Sequence, residues 1–301
     1  MNNKKYFITS DIHSFFSEFK SSLKQAGFRK TNKEHILIIC GDLFDRGNES
    51  VELYNYLKTL PKKRLILIKG NHESLLLDCL KKDYPGKHDF SNGTVKTLCH
   101  FANIEEKMLD KYYWYSYFMD SYSDWDTLQE QMTNKLYGIW NTVKNNVLKS
   151  EFYKWLTSNV WKDFYELDNF IFTHAFIPIK CNDLSAIYYN DTTKMSYMSD
   201  WRTSATHLEL EDSRWGCPYR LFNAGLFDEE IKKDKILVCG HWHASDFHEI
   251  FKTSGKEDNY DIYFGKNLIA LDACTVLTYK VNILIYDGNN CFDQYNNKLN
   301  Y

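Results

Sequence analysis

The sequence predicts an α/β fold built around a mostly parallel sheet. Three observations lead there. β-rich runs alternate with helix-compatible stretches from the N-terminus onward. Each of the early runs ends in a polar cluster. The chain of 301 residues, 44% of them hydrophobic, is also long enough to bury a full core without disulfide or metal staples.

The first three β-rich runs are Tyr6–Thr9, His35–Cys40 and Leu65–Lys69, separated by helix-compatible Phe15–Ala26 and Ser50–Leu60. Ser74–Lys82 is expected to continue as a helix. Glu105–Lys149 lacks proline and strict alternation and is rich in Tyr, Trp, Met and Asn, so it reads as helical. Residues 76–162 are therefore expected to form a helical, aromatic-rich insertion within a single domain spanning 1–301. Asp163–Leu167 and Phe170–Thr173 read as paired strands around the turn dipeptide Asp168-Asn169. Ile236–Cys239 and Leu268–Leu271 read as buried strands and Thr278–Tyr286 as a last one, closed by Asp287-Gly288. Asn289–Tyr301 reads as a frayed terminus.

Composition removes several classes of function. A net charge of −3, from 37 basic and 40 acidic residues, leaves no electrostatic footprint for duplex nucleic acid. With 17% aromatic residues the chain is not disordered. Apolar runs such as Ile36–Cys40 fall far short of the ~18 residues that a membrane span needs. The start, Met1 to Lys5, carries no apolar signal segment, and none of the eight cysteines forms a C-x-x-C pair. The expectation is a soluble, reduced, cytoplasmic protein.

Five polar clusters end five apolar strands. In order they are Asp11-x-His13, Gly41-Asp42-Leu43-Phe44-Asp45-Arg46-Gly47, Gly70-Asn71-His72-Glu73, Thr173-His174-Ala175 and Gly240-His241-Trp242-His243. Ligands of open α/β sheets sit outside the carboxyl ends of the strands, where all five can converge. Carboxylate, amide and imidazole together form the mixed oxygen and nitrogen set that suits divalent Mn, Fe or Zn, and the set is long enough for two ions.

These motifs resemble the calcineurin-like metallophosphoesterase superfamily. Their G-D-x-x-D-R-G form is similar to the branch that holds Ser/Thr protein phosphatases and symmetrical diadenosine tetraphosphatases. The resemblance implies a four-layer α/β/β/α sandwich and a phosphoric ester hydrolase with two divalent ions, Mn first, with Fe or Zn as alternatives. By the same resemblance Asp11 and His13 would bind the first ion, completed by His243, and Asp42 would bridge. Asn71, His174 and His241 would bind the second. His72 would act as general acid oriented by Asp45, and Arg46 would clamp the phosphoryl oxygens. Arg202 and Arg214, with Arg220 behind them, are candidates for a second phosphate-binding arginine. Glu73 reads as a buttress of its loop. Ser14, Phe176 and Trp242-His243 depart from the branch pattern and are expected to alter the pocket walls. Leu271-Asp272-Ala273-Cys274 is similar to an L-D-x-G-C stretch of the branch and supports the fold.

The leading expectation for the substrate is a phosphomonoester, phosphoserine or phosphothreonine in protein. The rival is a nucleotide anhydride or phosphodiester, to which His243 and the aromatic insertion lend weight. An inactive scaffold is the reading from a different class, and the presence of every core ligand and His72 speaks against it. Tyr112–Tyr115 and Trp125 are read as core packing, with a lid over the leaving portion of the substrate as the alternative for 105–149.

Overall fold

Two sheets face each other across a layer of apolar side chains, and each is covered on its outer face by helices. The structure, a computed structural model, describes residues 4–118, 125–158, 160–181, 183, 186, 191–252 and 258–299. Of the expected insertion, positions 119–124 and 159 lie outside the described residues. So do Met1 to Asn3 at the start and positions 300 and 301 of the expected frayed terminus.

The strands in chain order are β1 Lys5–Thr9, β2 His35–Cys40, β3 Leu65–Ile68, β4 Trp161–Lys162, β5 Tyr165–Leu167, β6 Phe170–Phe172, β7 Ile179–Cys181, β8 Met195–Tyr197, β9 Ile236–Cys239, β10 Tyr263–Phe264, β11 Leu268–Ala270, β12 Leu284–Tyr286, β13 Cys291–Phe292 and β14 Lys298–Leu299. The larger sheet has the order β14-β13-β12-β1-β2-β3-β4, with β1 to β4 parallel. The smaller has the order β10-β11-β9-β6-β5, with β6, β9 and β11 parallel. A separate hairpin joins β7 and β8.

Alternation along the strands builds the layers, because successive side chains leave opposite faces of a sheet. Tyr6, Ile8, Ile36, Ile38 and Ile68 of the larger sheet meet Phe170, Phe172, Ile236, Val238 and Ile269 of the smaller one. The intervening residues Phe7, Leu37, Ile39 and Leu67 point outward to helices. Ile171, Leu237, Cys239, Leu268 and Ala270 point to the opposite outer layer. This is the four-layer sandwich.

Helices α1 Phe16–Gln25 and α2 Ser50–Leu57 cross between the parallel strands, and α3 Asn71–Lys81 follows β3. The expected insertion holds α4 Lys87–Ser91, α5 Thr94–Ala102, α6 Lys111–Phe118, α7 Trp125–Lys149 and α8 Glu151–Leu156. Trp140, Val143 and Val147 of α7 share one buried cluster with Phe7, Leu37 and Leu53. Trp140 Nε1 donates to the Lys82 carbonyl (3.2 Å).

The sequence reading needs correction at the C-terminal end. Thr275–Thr278 is a helical turn, and of the expected strand Leu284–Tyr286 alone pairs as one. Cys274 and Tyr279, at the two ends of the turn, have left-handed backbones (φ 50° and 52°), which alternation does not reveal. Beyond it the Ile283 N–H donates to the Gln294 side chain (3.1 Å) instead of to a strand. The tail is not frayed over its described part, because Cys291–Phe292 pairs with Lys298–Leu299 at the sheet edge. The Asp293 carboxylate closes that turn by accepting from the Tyr295 and Asn297 N–H groups (2.8 and 2.9 Å).

Trp140 is fully buried where helices and sheet meet. Trp140→Ala should cost about 3–5 kcal/mol. If the shared cluster makes α7 and the sheet one cooperative unit, chemical denaturation followed by far-UV and near-UV signals will give one shifted transition. Two separate transitions would mean that α7 unfolds independently.

Candidate metal centre

The loops after β1, β2, β3, β6 and β9 meet at one edge of the sandwich. Backbone bonds knit them before any side chain is considered: Asp11 N–H to Gly41 O (3.1 Å), His13 N–H to Asp42 O (3.0 Å) and Gly240 N–H to His174 O (2.7 Å). Among the described residues, Asp11, His13, Ser14, Asp42, Asp45, Arg46 and His241 all have positive φ, between 50° and 72°. Left-handed backbone costs a non-glycine residue about 1–3 kcal/mol and collects where a site over-determines it. Glycine appears where a side chain cannot fit. A methyl on Gly70 would press into the Asp42 carboxylate and come within 2.5 Å of the Asp42 nitrogen. Ser14, with φ 61°, occupies a position where glycine would be unstrained. Its hydroxyl is bound to Ser50 Oγ at 2.9 Å.

Three imidazoles are held by their Nδ1 atoms. His13 Nδ1 donates to the Phe44 carbonyl (3.1 Å), His174 Nδ1 to the Cys40 carbonyl (2.8 Å) and His72 Nδ1 to Asp45 Oδ2 (2.8 Å). Each Nε2 then faces the Asp42 carboxylate, 3.8, 3.5 and 4.0 Å from Oδ2 for His13, His174 and His72. The cleft end of the Asn71 amide lies 2.8 Å from His174 Nε2, 3.2 Å from His241 Nδ1, and 3.2 and 3.3 Å from the Asp42 oxygens. With the amide nitrogen at that position it donates to His174, His241 or Asp42; with the oxygen there, as a metal ligand requires, only lone pairs face one another and a cation makes the arrangement favourable. Two groups of donor atoms lie close enough to share an ion: His13, Asp42 and His72, and Asp42, His174 and His241. Asp42 belongs to both. The donor set therefore fits two divalent cations, with a third residue, His72, within reach of the first.

Burial penalises the charged form of all these groups. It raises Asp11 and Asp42, which also repel neighbouring carboxylates, and lowers His13 and His174. His241 is pulled down to about 4 by burial and by its imidazole neighbours. Burial, with the Arg46 charge beside it, brings His72 down to about 3, while burial pushes Asp45 up to about 7. The imidazoles are thus neutral at pH 7, the form that ligates metal.

A cavity of about 490 Å³ opens on this cluster, lined by Asp11, His13, Asp42, Arg46, Asn71, His72, His241 and His243. Sequence reasoning missed four of its other walls: Asn92, Trp215, Asp272 and the apolar lip Val276-Leu277. Leu277 is 70% exposed at this lip, a property that no local sequence pattern carries. The carboxylate of Glu73 is turned away, accepting the N–H groups of Asp42, Leu43 and Gly70 (3.0, 2.9 and 2.8 Å).

Several expectations for the walls need correction. Arg202 is bound by Glu166 and by Glu230 (2.8 Å) and does not line the cavity. Arg214 is buried and pairs with Asp163 and Glu211 (2.5 and 2.6 Å), and its neighbour Trp215 lines the cleft instead. Two carboxylates around each guanidinium explain both outcomes. Arg220 is exposed on the helix Pro218–Asn223 and is likewise absent from the walls. Phe176 and Trp242 belong to the outer core of the smaller sheet, against Phe227 and Tyr219, and do not shape the cavity. From 76–162, Asn92 alone among the described residues lines it, and Tyr112 and Trp125, expected in the core, are exposed.

The profile of the calcineurin-like phosphoesterase family matches residues 4–286. The chain belongs to that family. A symmetrical bis(5'-nucleosyl)-tetraphosphatase from Hamiltonella defensa is 25% identical over 254 residues, 79% of this chain and 82% of the relative. One of the same name from Buchnera aphidicola is 44% identical over 72 residues, which spans 24% of this chain and only 25% of that relative. The crystal structure of a cold-active protein-tyrosine phosphatase from a psychrophilic Shewanella has the same fold. It aligns with a TM-score of 0.53 and 14% identity over 98% of this chain and 79% of that one. No helix among the described residues is long and apolar enough to cross a membrane.

Two substitutions test the centre. Asp42→Asn should lower bound Mn measured by elemental analysis, because the group common to both ligand sets loses its charge and one oxygen; full metal content in this variant would contradict the sharing. Gly70→Ala should destabilise the metal-loaded protein by about 1–3 kcal/mol through the methyl pressed against Asp42. An unchanged denaturation midpoint would show that the loop can yield.

Proposed function

We propose that this chain is a metal-dependent phosphoric ester hydrolase, and the observation that carries the reading is Asp42, common to two adjoining ligand groups. Asp11, His13, Asp42 and His243 would hold one divalent ion and Asp42, Asn71, His174 and His241 the other, with Mn the first candidate and Fe or Zn the alternatives. When bound, such a pair supplies charge for the phosphoryl oxygens and a water acidified toward neutral pH.

The chain's own residues do the rest. Arg46 reaches the cavity wall with a planar cation suited to two phosphoryl oxygens, and its Nη2 is braced on Asn92 Oδ1 (3.2 Å). Asp45 fixes His72 Nδ1 and so aims Nε2 into the cleft. His72 is neutral at rest, and the negative charge of an arriving phosphate group favours its protonated form. The Nε2 proton then passes to the leaving oxygen.

For the substrate, the tetraphosphatase name of a relative matched along 79% of this chain supports a dinucleoside polyphosphate. Trp215, 42% exposed at the cleft wall, suits a base. A phosphoserine or phosphothreonine protein is the second reading. It is favoured by the exposed apolar lip of Leu277, which a macromolecular substrate can cover.

Mn-loaded protein offered diadenosine tetraphosphate, a phosphopeptide and a cyclic dinucleotide side by side should show its highest kcat/KM on the first. Preference for the phosphopeptide would select the second reading. His72→Asn should lower kcat about 10²–10⁴-fold on an alkyl phosphate, far less on p-nitrophenyl phosphate, and keep its metal. Equal losses on both substrates would reject the general acid, and lost metal would make His72 a ligand.

A further inference from the structure

Asp45 and Arg46 both have left-handed backbones, with φ of 72° and 61°, although neither is glycine. The segment from Asn92 to Thr97, at the start of α5, holds them there. The Arg46 N–H donates to the Asn92 carbonyl (3.2 Å), and Lys96 Nζ donates to the Arg46 carbonyl (2.9 Å). Gly93 (φ 81°) packs so tightly that an added Cβ would lie 2.5 Å from Arg46 N. The Asp45 N–H donates to Thr97 Oγ1 (3.0 Å).

Thr94 completes the cradle. Its hydroxyl donates to Asp45 Oδ2 at 2.7 Å, the same oxygen that takes His72 Nδ1 at 2.8 Å. The other oxygen, Oδ1, makes no hydrogen bond of good geometry among the described residues, with the Thr97 hydroxyl as its nearest support. Asp45 and Thr94 are both fully buried, so water cannot replace the hydroxyl. Rotation about the last torsion of an aspartate is soft, and a buried carboxylate with one oxygen weakly held depends on what grips the other.

We propose that Thr94 is a positioning residue for His72, acting through Asp45, and that the 92–97 segment thereby ties the helical region to the chemistry. The proposal rests on the reading of His72 as the acid for the leaving oxygen. Sequence spacing gave no hint of it, since Thr94 lies 49 positions from Asp45.

Thr94→Val keeps the shape of the side chain and removes the donor. We expect kcat on an alkyl phosphate to fall at least about tenfold, a fraction of what a general acid supplies, with KM and p-nitrophenyl phosphate turnover nearly unchanged. Thr94→Ser should recover most of the loss. The Nδ1–H resonance of His72 in ¹⁵N-histidine-labelled protein should move in Thr94→Val and return in Thr94→Ser. His72→Asn is assayed in parallel. If His72→Asn depends on the leaving group and Thr94→Val does not, the positioning role is overturned and the general acid stands. If His72→Asn shows no such dependence, the general-acid reading falls, and the resonance alone decides positioning: a shift supports it and an unmoved signal overturns it. A Thr94→Ser protein that folds but behaves like Thr94→Val also overturns it.

Discussion

Asp42 Oδ2 lies 3.5 to 4.0 Å from the Nε2 atoms of His13, His72 and His174, and each of those rings has committed its Nδ1 proton elsewhere. Burial keeps His13 and His174 from gaining a second proton and penalises the charge on Asp42, so imidazole lone pairs and a desolvated carboxyl group face one another. Such a cluster is unfavourable by itself, since an unsatisfied buried polar group costs about 1–3 kcal/mol and a charged one more. Cations reverse the sign. Most of the local structure makes sense as a device for holding these atoms together until that happens.

The fold supplies the rigidity. Three parallel strands of one sheet and two of the other deliver their C-terminal ends to one edge, and the layer between the sheets fixes the spacing between the two halves of the cluster. The loops that leave those strands adopt left-handed backbone at seven site positions, which they could not keep if exposed and unsupported. Support comes from buried side chains that never meet a ligand. Glu73 gathers three backbone N–H groups, and Thr94 and Thr97 grip Asp45.

The sandwich and the cluster were largely legible in the sequence, because both depend on short-range patterns. Alternation in Tyr6–Thr9 or Ile236–Cys239 assigns faces directly, and a polar residue at a strand end beside glycine marks the edge where ligands gather. The walls were not legible. Arg202 and Arg214 look like free cations in sequence, and only the fold brings Glu230 and Asp163 against them. Thr94 and Asn92 have ordinary local context, and their role comes from a contact across almost fifty residues. The C-terminal strand is shorter than its pattern predicts because Thr278 ends a helical turn and Tyr279 after it has a left-handed backbone.

Melting temperature with and without metal tests the central claim most directly. Protein stripped by chelator should melt lower than protein loaded with Mn, since an ion at about 100 times its Kd adds about 2.7 kcal/mol. Elemental analysis of the loaded form should then count two ions per chain. An unchanged melting temperature, with no metal retained after gel filtration, would contradict the account.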